Sequence, residues 1–154
     1  MKKILFILLF VASNVFGQNT TEVVITRDYA TDIESEEIPF VVIEQVPLFE
    51  ECKTIPKEKQ RDCFQEMMSK FIQKNFYYPE EAQENKIQGR VFIRFVIEKD
   101  GTIGEITARG PKDGKIIEEA AINMIKKMPK LIPGKQRGKT VRVSYSVPII
   151  FKLQ

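Results

Sequence analysis

Histidine and tryptophan are absent from all 154 residues, and cysteine occurs only twice, at Cys52 and Cys63. Without histidine there is no Ser-His-Asp triad and no histidine-ligated zinc protease site, and two thiols cannot complete a four-ligand structural zinc site. No nucleophile and base stand at a recognisable spacing, so the sequence offers no catalytic, metal or cofactor residues, and an enzyme is not expected. Long hydrophobic runs are also missing. The longest, Ile4 to Phe16, is 13 residues, which as a helix reaches about 20 Å against the roughly 30 Å of a bilayer core.

That run follows Met1-Lys2-Lys3 and ends at small Gly17, the pattern of a secretory signal over residues 1–17. Export to the periplasm is the expectation, and an uncleaved signal would leave the chain associated with the inner membrane. Charge is sparse on one side of the next segment. Residues 18–51 carry nine acids and one base, whereas 52–154 carry 21 bases and 12 acids. In an exported protein this split points away from nucleic acid and toward intramolecular attraction or an anionic envelope surface. Residues 18–37, polar and acidic without sustained period, read as a linker, and 38–154 as one domain.

In an oxidising compartment an even pair of cysteines reads as one bridge. Closing Cys52 to Cys63 makes a loop of about a dozen residues, worth about 3 kcal/mol in the chain-entropy model. A free reactive thiol is the alternative.

Ile38 to Ile43 is apolar and β-branched, suggesting a short strand or extended arm. From Lys57 the stripe Cys63, Phe64, Met67, Met68, Phe71, Ile72 has helical spacing; it would face the core or line a ligand groove. Tyr77-Tyr78-Pro79-Glu80-Glu81-Ala82 opens a second, short helix, with proline suited to its first turn. Val91, Ile93, Phe95 and Ile97 alternate as a strand, Asp100-Gly101 is placed at the centre of a hairpin turn, and Ile103 to Ala108 returns antiparallel. Asp113 is the expected cap of a third helix carrying Ile117, Ala120, Ala121, Met124, Ile125 and Met128. After the basic loop Lys135 to Lys139, a long strand from Thr140 to Leu153 sets Val141, Val143, Tyr145, Val147, Ile149 and Phe151 on one face and Arg142, Ser144 and Ser146 on the other. Together these elements define a two-layer α+β domain.

Tyr78-Pro79-x-x-Ala82, Gly89-x-Val91, Asp100-Gly101-x-Ile103, Pro133-Gly134-Lys135-Gln136-Arg137-Gly138 and Pro148-x-x-Phe151, in this order, resemble the C-terminal domain of TonB energy transducers. Val42 to Phe49 resembles the Val-x-Glu-x-x-Pro-x-Phe lead-in of Bacteroidota-type members, so the resemblance spans about 38–154. Leu131 stands where many members have an aromatic residue. The resemblance implies a three-stranded antiparallel sheet under two main helices plus a short one. It also implies a C-terminal edge strand that captures the TonB box peptide of outer-membrane TonB-dependent receptors in energy-coupled transport.

Proline within a strand is tolerated mainly at an edge, its missing donor turned away from the ladder. Pro148 therefore turns the even-numbered backbone outward, and Arg142, Ser144, Ser146 and Pro148 are the expected partner-binding residues. The other reading is that Pro148 only protects the edge from aggregation. Family members also have an inner-membrane helix that meets the ExbB–ExbD motor and a proline-rich spacer. Neither is evident here, so contact with the motor is expected only through an anchored partner. A stand-alone envelope scaffold, holding an anionic polymer on Lys126, Lys127, Lys130, Lys135, Arg137 and Lys139, is the alternative function.

Overall fold

The structure, a computed structural model, describes residues 36–154. The expected signal at 1–17 and nearly all of the acidic linker lie outside them. The elements run β1 (Glu37–Pro39), a 3₁₀ turn (Glu50–Cys52), α1 (Lys57–Asn75), α2 (Glu80–Glu84), β2 (Gly89–Ile97) and β3 (Ile103–Arg109). After these come α3 (Lys115–Ile125), β4 (Lys135–Gln136), β5 (Lys139–Thr140) and β6 (Arg142–Phe151). The domain is α+β, as expected.

Its sheet has four strands in the order β1-β6-β2-β3, not three. β2 pairs antiparallel with both β3 and β6, while β1 lies parallel to the start of β6. Three residues are too short to stand out as a strand by periodicity. β1 holds because Ile38 packs toward the core and Phe40 N–H donates to Ser144 C=O at 3.0 Å. The same bond turns the amide position of Pro39 away from β6, so its missing donor costs the ladder nothing.

One face of the sheet carries Val91, Ile93, Phe95, Ile97, Val143, Ile149 and Phe151, all buried. α1 and α3 cover it. The α1 stripe is core rather than groove at its centre: Phe64 and Met68 are buried, and the Phe64 ring lies 4.7 Å from Phe40, 5.4 Å from Phe49 and 5.2 Å from Tyr145. α3 buries Ile117, Ala120, Ala121, Met124 and Ile125.

Between β1 and the 3₁₀ turn the chain runs as a strap rather than continuing as a strand. Phe40, Ile43, Val46, Leu48 and Phe49 are buried. Gln45 and Lys135 exchange both backbone hydrogen bonds, as do Leu48 and Ile132. Arg61 of α1 secures the turn by donating to the carbonyls of Phe40 and Ile43 and lying 5.0 Å from the Phe40 ring centroid. Cys52 and Cys63 are disulfide-bonded, with Cα atoms 5.9 Å apart, tying the end of the strap to α1.

Three local expectations are corrected. At the β2–β3 hairpin, Gly101 N–H donates to Glu98 C=O, so Lys99 and Asp100 are the central pair and Gly101, at φ +85°, follows them in the left-handed region. Asp100 instead accepts from the hydroxyl (2.6 Å) and amide (2.9 Å) of Thr102, which hold its carboxyl below the ordinary aspartate range. Asp113 makes no capping bond; Gly114 precedes α3, and Glu118 accepts from the Gly110 amide. The basic loop is a tight hairpin, β4 and β5 joined by Arg137 and Gly138 at φ 51° and 76°, and it separates Thr140 from the long strand.

Gly101 also anchors the chain leading to β4, since its carbonyl accepts from Leu131 N–H at 2.9 Å. Leu131 is buried, filling its pocket without an aromatic ring. A Cβ on Gly101 would stand 1.7 Å from the Leu131 carbonyl oxygen. Gly101→Ala therefore combines a backbone clash with a left-handed φ and should lower unfolding free energy by roughly 3 kcal/mol in denaturant melts. Replacing Cys52 and Cys63 together by alanine removes the 11-residue link and should cost about 2–4 kcal/mol in the same measurement, with the folded-state amide spectrum outside the strap retained.

Candidate functional site

β6 alternates cleanly along its length. It pairs with β2 in unbroken register from Val143↔Ile97 to Phe151↔Gly89, with no bulge between Ser144 and Pro148. Because the Ser144 carbonyl points to β1, the even-numbered backbone groups of β6 face away from β2 and the odd-numbered ones face it. The four residues expected to bind a partner thus share the flank that faces away from β2, but they divide into two pairs.

Arg142 and Ser144 are opposite Glu37 and Pro39 of β1, so their outward backbone lies against a strand of the same chain. The expectation of a fully open edge is corrected there. Ser146 and Pro148 lie beyond β1 and are exposed. Among the described residues, no strand pairs with the outward groups of Ser146, Pro148 or Ile150. Ile150, not singled out by the sequence, completes the set because it has the same parity. The open stretch from Tyr145 to Phe151 is about 20 Å long at 3.3 Å per residue.

Charge holds the covered half closed. Arg94 and Arg142 both pair with Glu37, and Arg142 also pairs with Glu98 at 3.0 Å and with Glu105. Hydrogen bonds that Arg142 donates to the carboxylates of Glu98 and Glu105 raise the pKa of its guanidinium above the usual range, and 16% of the side chain is exposed. Glu105 reaches this cluster from β3 through a bulge. β3 places two residues, Glu105 and Ile106, between the partners of Arg94 and Val96, and Glu105 has φ 45°. The periodicity of the sequence carries no signal for this covered half; the clue it does hold is Pro39, an edge-type proline between two apolar residues.

At the junction between the covered and open halves sits Tyr145. Its ring is 4.9 Å from Phe40 and 5.7 Å from Phe95, and burial pushes its phenol pKa up. At the far end Phe151 is buried against Phe76 and Tyr78, whose hydroxyl donates to Ile87 C=O at 2.7 Å. The open stretch is thus fixed at both ends by aromatic packing on its odd-numbered side.

Elsewhere, the six basic residues of the alternative reading are all exposed. Glu80, Glu81 and Glu84 of α2 are exposed to solvent. Among the described residues, no group of three or more His, Cys, Asp or Glu side chains could hold a metal ion, and no helix is long and apolar enough to cross a membrane.

The domain is thus a helix-covered α+β sheet in which, among the described residues, the second half of β6 has no ladder partner on one flank. The family model for the Gram-negative bacterial TonB protein C-terminal matches residues 74–153, and the chain belongs to that family. The match begins in the last turn of α1, so β1, the strap and the disulfide lie ahead of it. Among solved structures, the solution NMR structure of Helicobacter pylori TonB-CTD residues 179–285 is 23% identical, with a TM-score of 0.45, covering 66% of this chain and 87% of its own. A second solution structure from that organism, residues 194–285, is 26% identical, with a TM-score of 0.41, covering 57% and 91%. No curated protein matches the chain.

The family motifs have visible work in the fold. Pro79 precedes α2, Ala82 is buried beneath it, Gly101 makes the turn, and Phe151 fills the end of the core. Hydrogen exchange checks the open flank directly. The amides of Ser146 and Ile150 should exchange about a hundredfold or more faster than those of Val147 and Ile149, which face β2, whereas the Phe40 amide, bonded to Ser144, should be protected.

Proposed function

We propose that this domain binds the TonB box peptides of outer-membrane TonB-dependent receptors by adding them as a strand to β6, in energy-coupled transport across the outer membrane. The binding residues are Ser146, Pro148 and Ile150, through their outward backbone groups, with Arg142 and Ser144 reserved for β1. The observation that carries the reading is the absence of a ladder partner for those groups among the described residues. Membership of the TonB C-terminal family supplies the kind of partner. Strand addition needs main-chain donors and acceptors for affinity and side-chain contacts for selectivity, and it needs no cofactor.

The domain acts in the periplasm, exported by the signal at residues 1–17, and contact with the ExbB–ExbD motor runs through an anchored partner. No catalytic role is assigned. The scaffold reading has the exposed cations around Lys126 and Lys139 in its favour. It would appear as polymer binding that collapses in moderate salt while leaving the β6 amides unmoved.

Ser146→Pro is the direct test, because it deletes one outward N–H and leaves the β2 ladder intact. Stability should stay within about 1 kcal/mol of the parent. Affinity for a receptor-derived peptide, measured by backbone NMR titration, should fall about tenfold, the equivalent of one net hydrogen bond. Chemical shift changes confined to the helices would refute strand addition.

A further inference from the structure

Strand alternation should leave the outer face of the sheet polar, and much of it is: Arg90, Arg94, Ser144, Ser146 and Thr107 all fall there. Four apolar residues break the pattern: Val96, which is buried, and Phe92, Pro148 and Ile150, which are exposed. Phe92 and Pro148 are direct cross-strand partners, and Ile150 is the next outward residue of β6. Phe92 is 54% exposed and Ile150 60%, and neither belongs to the core. Two arginines border the strip, Arg109 opposite Phe92 on β3 and Arg90 opposite Ile150, and the Arg90 guanidinium lies 5.9 Å from the Phe92 ring centroid.

The strip is continuous with the open backbone edge. Pro148 and Ile150 contribute both the outward main-chain groups of the proposed acceptor and the apolar side chains beside them. A strand laid against β6 would place its own side chains about 5 Å from theirs on the outer face, at every second position. Phe92 stands behind Pro148, one strand further in, and widens the strip so that a bulky side chain leaning across the sheet finds apolar contact. The strap limits the other end: β1 occupies β6 through Ser144, so an incoming strand cannot extend past that point.

We propose that Phe92, Pro148 and Ile150 read the side chains of the incoming segment. The occupant is an extended peptide of about six or seven residues that sets apolar, β-branched or aromatic side chains at alternate positions on the outer face of the sheet. This rests on the strand-addition reading and adds what that reading leaves open, namely selection by side chain. Main-chain pairing alone accepts any sequence, whereas an exposed apolar strip rewards burial and penalises a polar side chain set opposite it.

The test uses two lysine-flanked probe peptides, one with six central valines and one with six central threonines, nearly identical in shape and β-propensity. They are titrated against the parent domain and against a Phe92→Thr, Ile150→Thr variant whose melting curve is checked first. Both replacements are exposed β-formers, so the variant should fold. The parent should prefer the valine probe by about tenfold or more, and the variant by no more than about twofold, while the Ser146 amide still shifts on binding in both. Retained preference in a folded variant would place selection on the inner face and overturn the proposal while leaving strand addition standing. Unmoved Ser146 and Ile150 amides with either probe would defeat strand addition itself, and the proposal with it.

Discussion

The ladder between β2 and β6 is the constraint on which everything else depends. Nine consecutive residues of β6 stay in register with β2, so the odd-numbered residues of β6 commit both their side chains to the core and their backbone to β2. The even-numbered residues are left with the opposite flank and the opposite face. One parity therefore fixes the core, the position of Pro148, the bond from Phe40 to Ser144, and the outward groups of Ser146 and Ile150. A slip by one residue would exchange all of these together.

The chain spends half of that outward flank on itself. β1 is anchored by Ile38, Phe40 and the Glu37 ion pairs, and the strap behind it is tied by Arg61 and the disulfide to α1. All of this precedes the family region that begins at residue 74. β1 thus shortens an exposed strand edge, which is itself a hazard for aggregation, and ends it with Pro39, a residue unable to extend the sheet further. Protection against aggregation and the proposed acceptance of a peptide are compatible along β6, since the covered half and Pro148 serve the first and the open half is left for the second.

Much of the fold was legible because burial imposes periodicity. The α1 and α3 stripes and the alternation of β2 and β6 could be read from residue spacing, and the pairing of Cys52 with Cys63 from an even count of two cysteines. Structure departs from the sequence reading where individual backbone bonds decide, some of them between segments distant in sequence and some within a single turn. β1 is only three residues long and its partner is more than a hundred positions away. Asp100-Gly101 favours a two-residue turn, but the bond from Leu131 to Gly101 and the bond from Gly101 to Glu98 settle a longer one. Asp113 had capping chemistry, yet the turn from Pro111 to Gly114 supplies the start of α3 without it.

From the order of its residues alone, the chain determined its class, its helices, the parity of its last strand and the family it resembles. These follow from local spacing and from where proline and glycine can be tolerated. Only the tertiary structure decided how much of the last strand stays open and what lies beside it. Pairing between remote segments depends on which backbone groups remain unclaimed once the core has formed, and that is a property of the assembled sheet rather than of any stretch within it.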